Sequence, residues 1–187
     1  MREPTEREEI KKNVILKQCF ECIVEYGIEK VSIRAFSEAT GMTASSLYYW
    51  FKDKNEIVLD STEYGIKVIA DVFFEHAMDR ISRFDEISQG FQKLARQYQS
   101  YLKTVCQIVA SPQYGDKITQ LSKNIAILYE TYAKKMVSQL DLSYSNARTI
   151  VDLFISSIMD CTLWDEWEKL SRELELLLSL IANKGVR

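Results

Sequence analysis

Apolar residues return along this chain at intervals of three and four and nowhere in strict alternation, so the pattern predicts helices throughout. The first opens on acidic residues after Pro4 and Thr5, carries Ile15, Leu16, Cys19, Cys22 and Ile23 on one stripe, and closes at Gly27. A short helix follows. Ser32 caps it, Ala35, Phe36 and Ala39 form its buried stripe, and Gly41 stops it with Met42 tucked in beyond. Thr43 caps a second short helix, anchored by Leu47, Trp50 and Phe51 at i, i+3 and i+4. Asp53 then opens a long helix along which Ile57, Val58, Ile66, Val68, Ile69, Val72 and Phe73 are apolar, with Gly65 inside it.

Phe84 and Asp85 mark a break, with Asp85 as the next cap. Phe91, Leu94, Tyr98, Tyr101, Leu102 and Val105 resume helical spacing, and residues 106–110 leave room for a short helix of their own. Pro112, Gly115 and Asp116 interrupt the pattern before a further long helix with Ile118, Leu121, Ile125, Leu128, Tyr129, Tyr132 and Met136. A turn at 141–145 leads to two last helices over 144–163 and 165–183. No strand pattern, Gly-rich loop or internal repeat appears, so the expected fold class is all-α.

Anchoring by Leu47, Trp50 and Phe51 leaves one face of the second short helix free: Ala44, Ser45, Ser46, Tyr48 and Tyr49. Small residues sit where such a helix must approach something closely, and two phenols follow. This suits a recognition helix in the major groove of double-stranded DNA, with amides and hydroxyls meeting phosphates. The caps Ser32 and Thr43 join the candidate interface, Lys54 places a point charge where a phosphate would lie, and Arg34 reaches a base or a phosphate. The competing reading is a helical hairpin that packs without a partner.

These residues resemble the N-terminal DNA-binding domain of the tetracycline-repressor-like (TetR/AcrR) family. The cap at Ser32, Arg34, Gly41, the cap at Thr43, Leu47 and Tyr48, Trp50 and Phe51, and Lys54 all stand at that family's spacing, and the match extends upstream from Ile15 to Gly27, covering roughly residues 10–60. Ser37, Phe36 and Ser45 depart from its usual alanine, isoleucine and glycine. The resemblance implies a three-helix helix-turn-helix DNA-binding domain over residues 1–52 and a helical ligand-binding and dimerisation bundle over 53–187, with the helix from 53 as connector. It also implies a homodimeric regulator, mostly a repressor relieved by a small molecule.

The last two helices are apolar on more than one side. A second copy, related by a two-fold axis, would cover what one chain leaves bare, and Ile150, Phe154, Ile158, Leu174, Leu177, Leu178 and Ile181 are the expected dimer residues. Dimerisation accounts for binding a palindromic operator, since it repeats the recognition helix at a half-site spacing on the order of 34–36 Å. Phe73, Tyr98, Tyr101, Tyr129 and Tyr132 on inward stripes, with Asp160, Cys161 and Trp164 on the penultimate helix, form a candidate site for an amphipathic or cationic effector. Plain core is the simpler account of the same stripes.

Composition narrows the field further. The 187 residues are 47% hydrophobic and 27% charged, an ordinary globular balance, and no apolar run approaches the roughly 20 residues that cross a bilayer. The charged, non-signal-like start points to a cytoplasmic protein without a membrane partner. The net charge of −3 argues against a broad cationic surface, yet between residues 30 and 54 Lys30, Arg34, Lys52 and Lys54 stand against only Glu38 and Asp53. Four cysteines are too few for a disulfide framework, and the C-x-x-C of Cys19 and Cys22 lies on an apolar stripe, which favours packing over zinc or redox chemistry. With one histidine, no nucleophile elbow and no phosphate loop, neither catalytic residue, metal nor cofactor is expected. A helical adaptor that binds ligand or protein without DNA remains the alternative.

Overall fold

The computed structural model describes residues 5–80 and 84–182, with side chains described throughout except at 80, 84–88, 180 and 182. Every regular element among them is a helix: α1 (Glu6–Tyr26), α2 (Ile33–Thr40), α3 (Ala44–Trp50), α4 (Lys54–Arg80), α5 (Phe84–Gln97), α6 (Gln99–Ala110), α7 (Lys117–Leu140), α8 (Tyr144–Trp164) and α9 (Trp167–Ala182). Among the described residues no helix is long and apolar enough to cross a membrane.

Capping chemistry sets most of the boundaries. Thr5 and Glu8 form a reciprocal capping box at the start of α1, and Gly27 closes that helix at φ 80°. Ser143 caps α8 by accepting from the Asn146 amide at 3.2 Å. The start of α9 differs from expectation. Asp165 does not open it but ends α8 in the left-handed region at φ 59°, which a short polar side chain tolerates, and α9 begins at Trp167.

The region before Pro112 also differs. Residues 106–110 are the last turns of α6 and not a separate helix, because the helix continues until proline, which lacks an amide hydrogen and restricts Ser111, stops it. The interruption lies at Tyr98 instead, where the amide still donates to Leu94 at 2.9 Å. The expected break at Phe84 and Asp85 borders residues 81–83; the capping role of Asp85 and the apolar role of Leu180 lie outside the described side chains.

By compactness the chain forms two units. One comprises Met1–Val68 and Thr104–Leu121, the other Ile69–Lys103 and Ser122–Arg187. In the first, Ile15, Cys19, Phe20 and Ile23 of α1 are buried together with Phe36, Leu47, Phe51, Ile57 and Val58. Gly65 of α4 is required by Phe20: a Cβ there would lie 2.1 Å from the ring. Cys19 and Cys22 are buried free thiols, and burial pushes Cys19 up to about 12, with Cys22 adding to the shift, so the C-x-x-C pair is held protonated as packing. In the second unit α8 packs on α9, and Tyr132, Ala133, Met136, Ile150 and Val151 share a core.

Candidate nucleic-acid interface

Two short helices and the glycine between them build the candidate interface. Ser32 accepts from the Ala35 amide at 3.2 Å, fixing the start of α2, and Phe36 is fully buried beneath it. Ala39, expected on the same stripe, is exposed, because an eight-residue helix buries only a narrow line through Phe36. Gly41 takes the left-handed conformation, φ 64° and ψ 18°, that the sharp exit requires. Thr43 then caps α3 by accepting from the Ser46 amide at 3.2 Å.

Leu47 and Phe51 are buried and Trp50 is half-buried beneath the ammonium of Lys11, 5.8 Å from its ring. This anchoring turns the opposite face outward. Ala44, Ser45 and Ser46 are exposed, and so are Tyr48 at 49% and Tyr49 at 79%. The Tyr49 ring stands edge-on to Trp50, centroids 5.6 Å apart and planes at 86°. Seven residues thus separate into a packed line and a free face.

The charges are more committed than their sequence positions suggest. Arg34 is fully exposed, but its Nε donates to Glu38 at 2.9 Å, and that partner holds the guanidinium charge more firmly still. Lys54 is half-buried and donates to the carbonyl oxygen of Val31 at 3.2 Å. Asp53 accepts from the Glu56 amide at 2.8 Å, and its carboxyl is held below the usual range first by that bond, with Lys117 at 3.5 Å adding to it. Lys52 donates its amide to the Glu56 carboxylate.

Sequence reasoning missed one feature of this face. Thr43 Oγ1 lies 3.0 Å from Ser45 Oγ and 2.9 Å from Ser46 Oγ, so the three hydroxyls form one cluster at the head of α3. The signal was present, since residues two and three beyond a cap fall within reach of its side chain.

In the second unit the candidate effector residues divide between two aromatic groups. Phe73 is buried and meets Tyr98 at 6.3 Å, while Tyr98 meets Tyr101 at 5.8 Å. Phe91, Phe154 and His76, none of them expected at the effector site, join this group: Phe91 stacks on Phe73 at 6.0 Å, and Phe154 and His76 meet Phe91 at 4.8 and 4.9 Å. Tyr132 belongs to the other group, stacked on Phe74 at 4.6 Å and donating from its hydroxyl to Asp71 at 2.9 Å, with Tyr129 beneath the guanidinium of Arg148.

The remaining candidates join neither group through ring contacts. Asp160 is paired with Lys169, and Cys161 is buried with its thiol 4.0 Å from Glu173. Trp164 is 71% exposed, because it is the last residue of α8 before the turn at Asp165, so it walls no interior of this chain. Among the described residues no cluster of His, Cys, Asp or Glu is arranged to hold a metal.

The expected dimer residues are largely consumed inside the chain. Ile150, Ile158, Leu174, Leu177 and Leu178 are buried, Phe154 belongs to the first aromatic group, and Ile181 packs partly against the Tyr132 core. α8 and α9 pack on each other, and Phe154 and Ile181 remain half-buried. The apolar side chains left bare on the two helices include Leu153 at 47% and Leu176 at 62%.

Residues 15–60 match the family model described as bacterial regulatory proteins, tetR family. Over most of its length the fold is similar to several solved structures. One, from Mesorhizobium loti MAFF303099 and assigned to the TetR family of transcriptional regulators, superimposes with a TM-score of 0.63 at 14% identity, covering 98% of this chain and 100% of its own. The multidrug binding protein EbrR, complexed with imidazole, gives 0.61 at 13% identity over 94% of this chain and 96% of its own. The transcriptional regulator FadR from Bacillus subtilis, in complex with stearoyl-CoA, gives 0.51 at 16% identity over 92% and 98%. No curated protein matches the sequence.

Proposed function

We propose, from the match of residues 15–60 to the tetR family of bacterial regulatory proteins, that the chain is a DNA-binding transcriptional regulator of that family, a homodimeric repressor that reads a palindromic operator and is released from it by a small molecule. The carrying observation is the outward face of α3, with Ala44, Ser45, Ser46, Tyr48 and Tyr49 exposed while Leu47 and Phe51 are buried beneath them. A helix anchored along one line and bare along the other, entered through a glycine turn and a threonine cap, is built to lie in a major groove.

In this reading residues 1–52 are the reading head and 53–187 the effector and dimerisation part. Tyr48, Thr43 and Ser32 meet the backbone, and Ser45, Ser46 and Tyr49 meet bases. Arg34, its Nε kept on Glu38, turns the rest of its guanidinium to a phosphate, and Lys54 acts from the start of α4. A second copy covers Leu153 and Leu176, whose burial removes apolar surface from water on both protomers. The effector is a small organic molecule held in the second unit, where Phe73, Tyr98 and Tyr101 offer ring faces; the folds shared with EbrR and FadR support this. An effector shifts the DNA-competent population only by as much as its affinity differs between the two states. The dimer works in the cytoplasm, beside the operator.

A mobility-shift experiment with DNA from upstream of the protein's own gene and its neighbours tests the proposal. Retardation that survives a scrambled competitor and is released by salt is the expected result. Absence of any retardation at low salt would select the helical adaptor instead.

A further inference from the structure

The groups that α3 offers to base edges are restricted. Arginine, lysine, asparagine and glutamine are the side chains that engage guanine or adenine through paired or strong donors, and Ala44–Trp50 contains none of them. Arg34, the one guanidinium on α2 and α3, is tied to Glu38. The hydroxyls at the head of α3 are also largely spent. Thr43, Ser45 and Ser46 have three hydroxyl protons between them, and the contacts Thr43 makes to the two serines use two, leaving one donor for anything outside the protein. Tyr49 adds a single hydroxyl, which hydrogen-bonds any base edge and so discriminates poorly.

The apolar groups, by contrast, are presented without competition. Ala44 is exposed at the first position of the helix, and Tyr49 is 79% exposed with its ring edge-on to Trp50. In the major groove the apolar feature on a base edge is the C5-methyl of thymine. We infer, resting on the DNA-binding function proposed above, that α3 selects its half-site chiefly through thymine methyl groups packed against the Tyr49 ring and the Ala44 methyl, with guanine contributing little. Tyr49 is the residue that determines specificity, and it does so by its ring and not by its hydroxyl.

The test uses the full chain and random-sequence duplexes, enriched over successive rounds of binding and then sequenced. Each thymine of the enriched half-site is next replaced by deoxyuridine, which pairs identically and lacks the methyl. The inference expects A·T pairs at adjacent positions of each half-site and a loss of about fourfold in affinity for each contacted methyl removed. It also expects Tyr49→Phe to keep the preference for thymine over deoxyuridine, and Tyr49→Ala to bind the two duplexes alike. Half-sites enriched for guanine at those positions, with affinity unmoved by deoxyuridine, would overturn the inference and leave DNA binding standing. So would a base preference lost in Arg34→Ala and kept in Tyr49→Ala. If no sequence is enriched at all, the DNA-binding function falls and the inference with it.

Discussion

Lys54 donates from its ammonium to the carbonyl oxygen of Val31 at 3.2 Å, which joins the first residue of α4 to the residue that precedes the cap of α2. The lysine therefore sets the position of the reading helices relative to the helix that leaves them, before any phosphate is considered. Lys54→Ala is expected to lower stability by about 1 kcal/mol, the value of one net hydrogen bond, and to weaken binding equally on operator and random DNA. Chemical denaturation and anisotropy titrations at several salt concentrations check both. Unchanged stability with a salt slope reduced by about 0.9 would mean that the ammonium serves a phosphate alone.

Gly65 of α4 lies against the Phe20 ring of α1. A Cβ at 65 would sit 2.1 Å from a ring that is itself buried, so Gly65→Ala forces the helices apart or twists the ring, at a cost of about 1–3 kcal/mol. Phe20→Leu in the same chain should recover part of that loss. Urea denaturation of both single variants and the double variant checks this, and strict additivity would show that the two residues do not meet.

Asp53 contributes to stability with a definite pH signature. Its folded carboxyl is held below the unfolded value of about 3.9, so its contribution is complete above that value and is lost as pH falls through the lower folded value. At neutral pH Asp53→Ala should cost about 1 kcal/mol through the lost cap. Asp53→Asn keeps an oxygen for the Glu56 amide but no longer titrates. Its stability should therefore fall less steeply than that of the natural chain as the pH drops below about 4, as denaturation at stepped pH will show.

Leu153 and Leu176 are where the proposed dimerisation can be tested apart from folding. If a second copy covers them, Leu176→Arg, at a position 62% exposed, is expected to leave the fold intact and yield a monomer with much weaker DNA binding, read by sedimentation velocity and mobility shift. Ile150→Arg, at a buried position, is expected to unfold the chain instead, seen as lost helical circular dichroism. Leu176→Arg that still sediments as a dimer would place the interface elsewhere.

What could be known from the linear order of residues was local. The caps Ser32, Thr43 and Ser143, the left-handed Gly41, the buried pair Leu47 and Phe51 and the bare face between Ala44 and Tyr49 all follow from interactions spanning four residues or fewer, and such interactions are written in the sequence itself. The local structure of the N-terminal helix-turn-helix was therefore legible almost residue by residue. Tertiary structure alone decided the rest. An apolar residue records that it is buried but not by what, so Ile150 and Leu174 could not be told apart from Leu153 and Leu176 until α8 and α9 had found their neighbours. The assignment of residues 104–121 to the same compact unit as the reading head, the division of the aromatics into two groups, and the hold of Val31 on Lys54 likewise depend on which distant segments meet. That choice belongs to packing over the whole chain, where helical periodicity is silent.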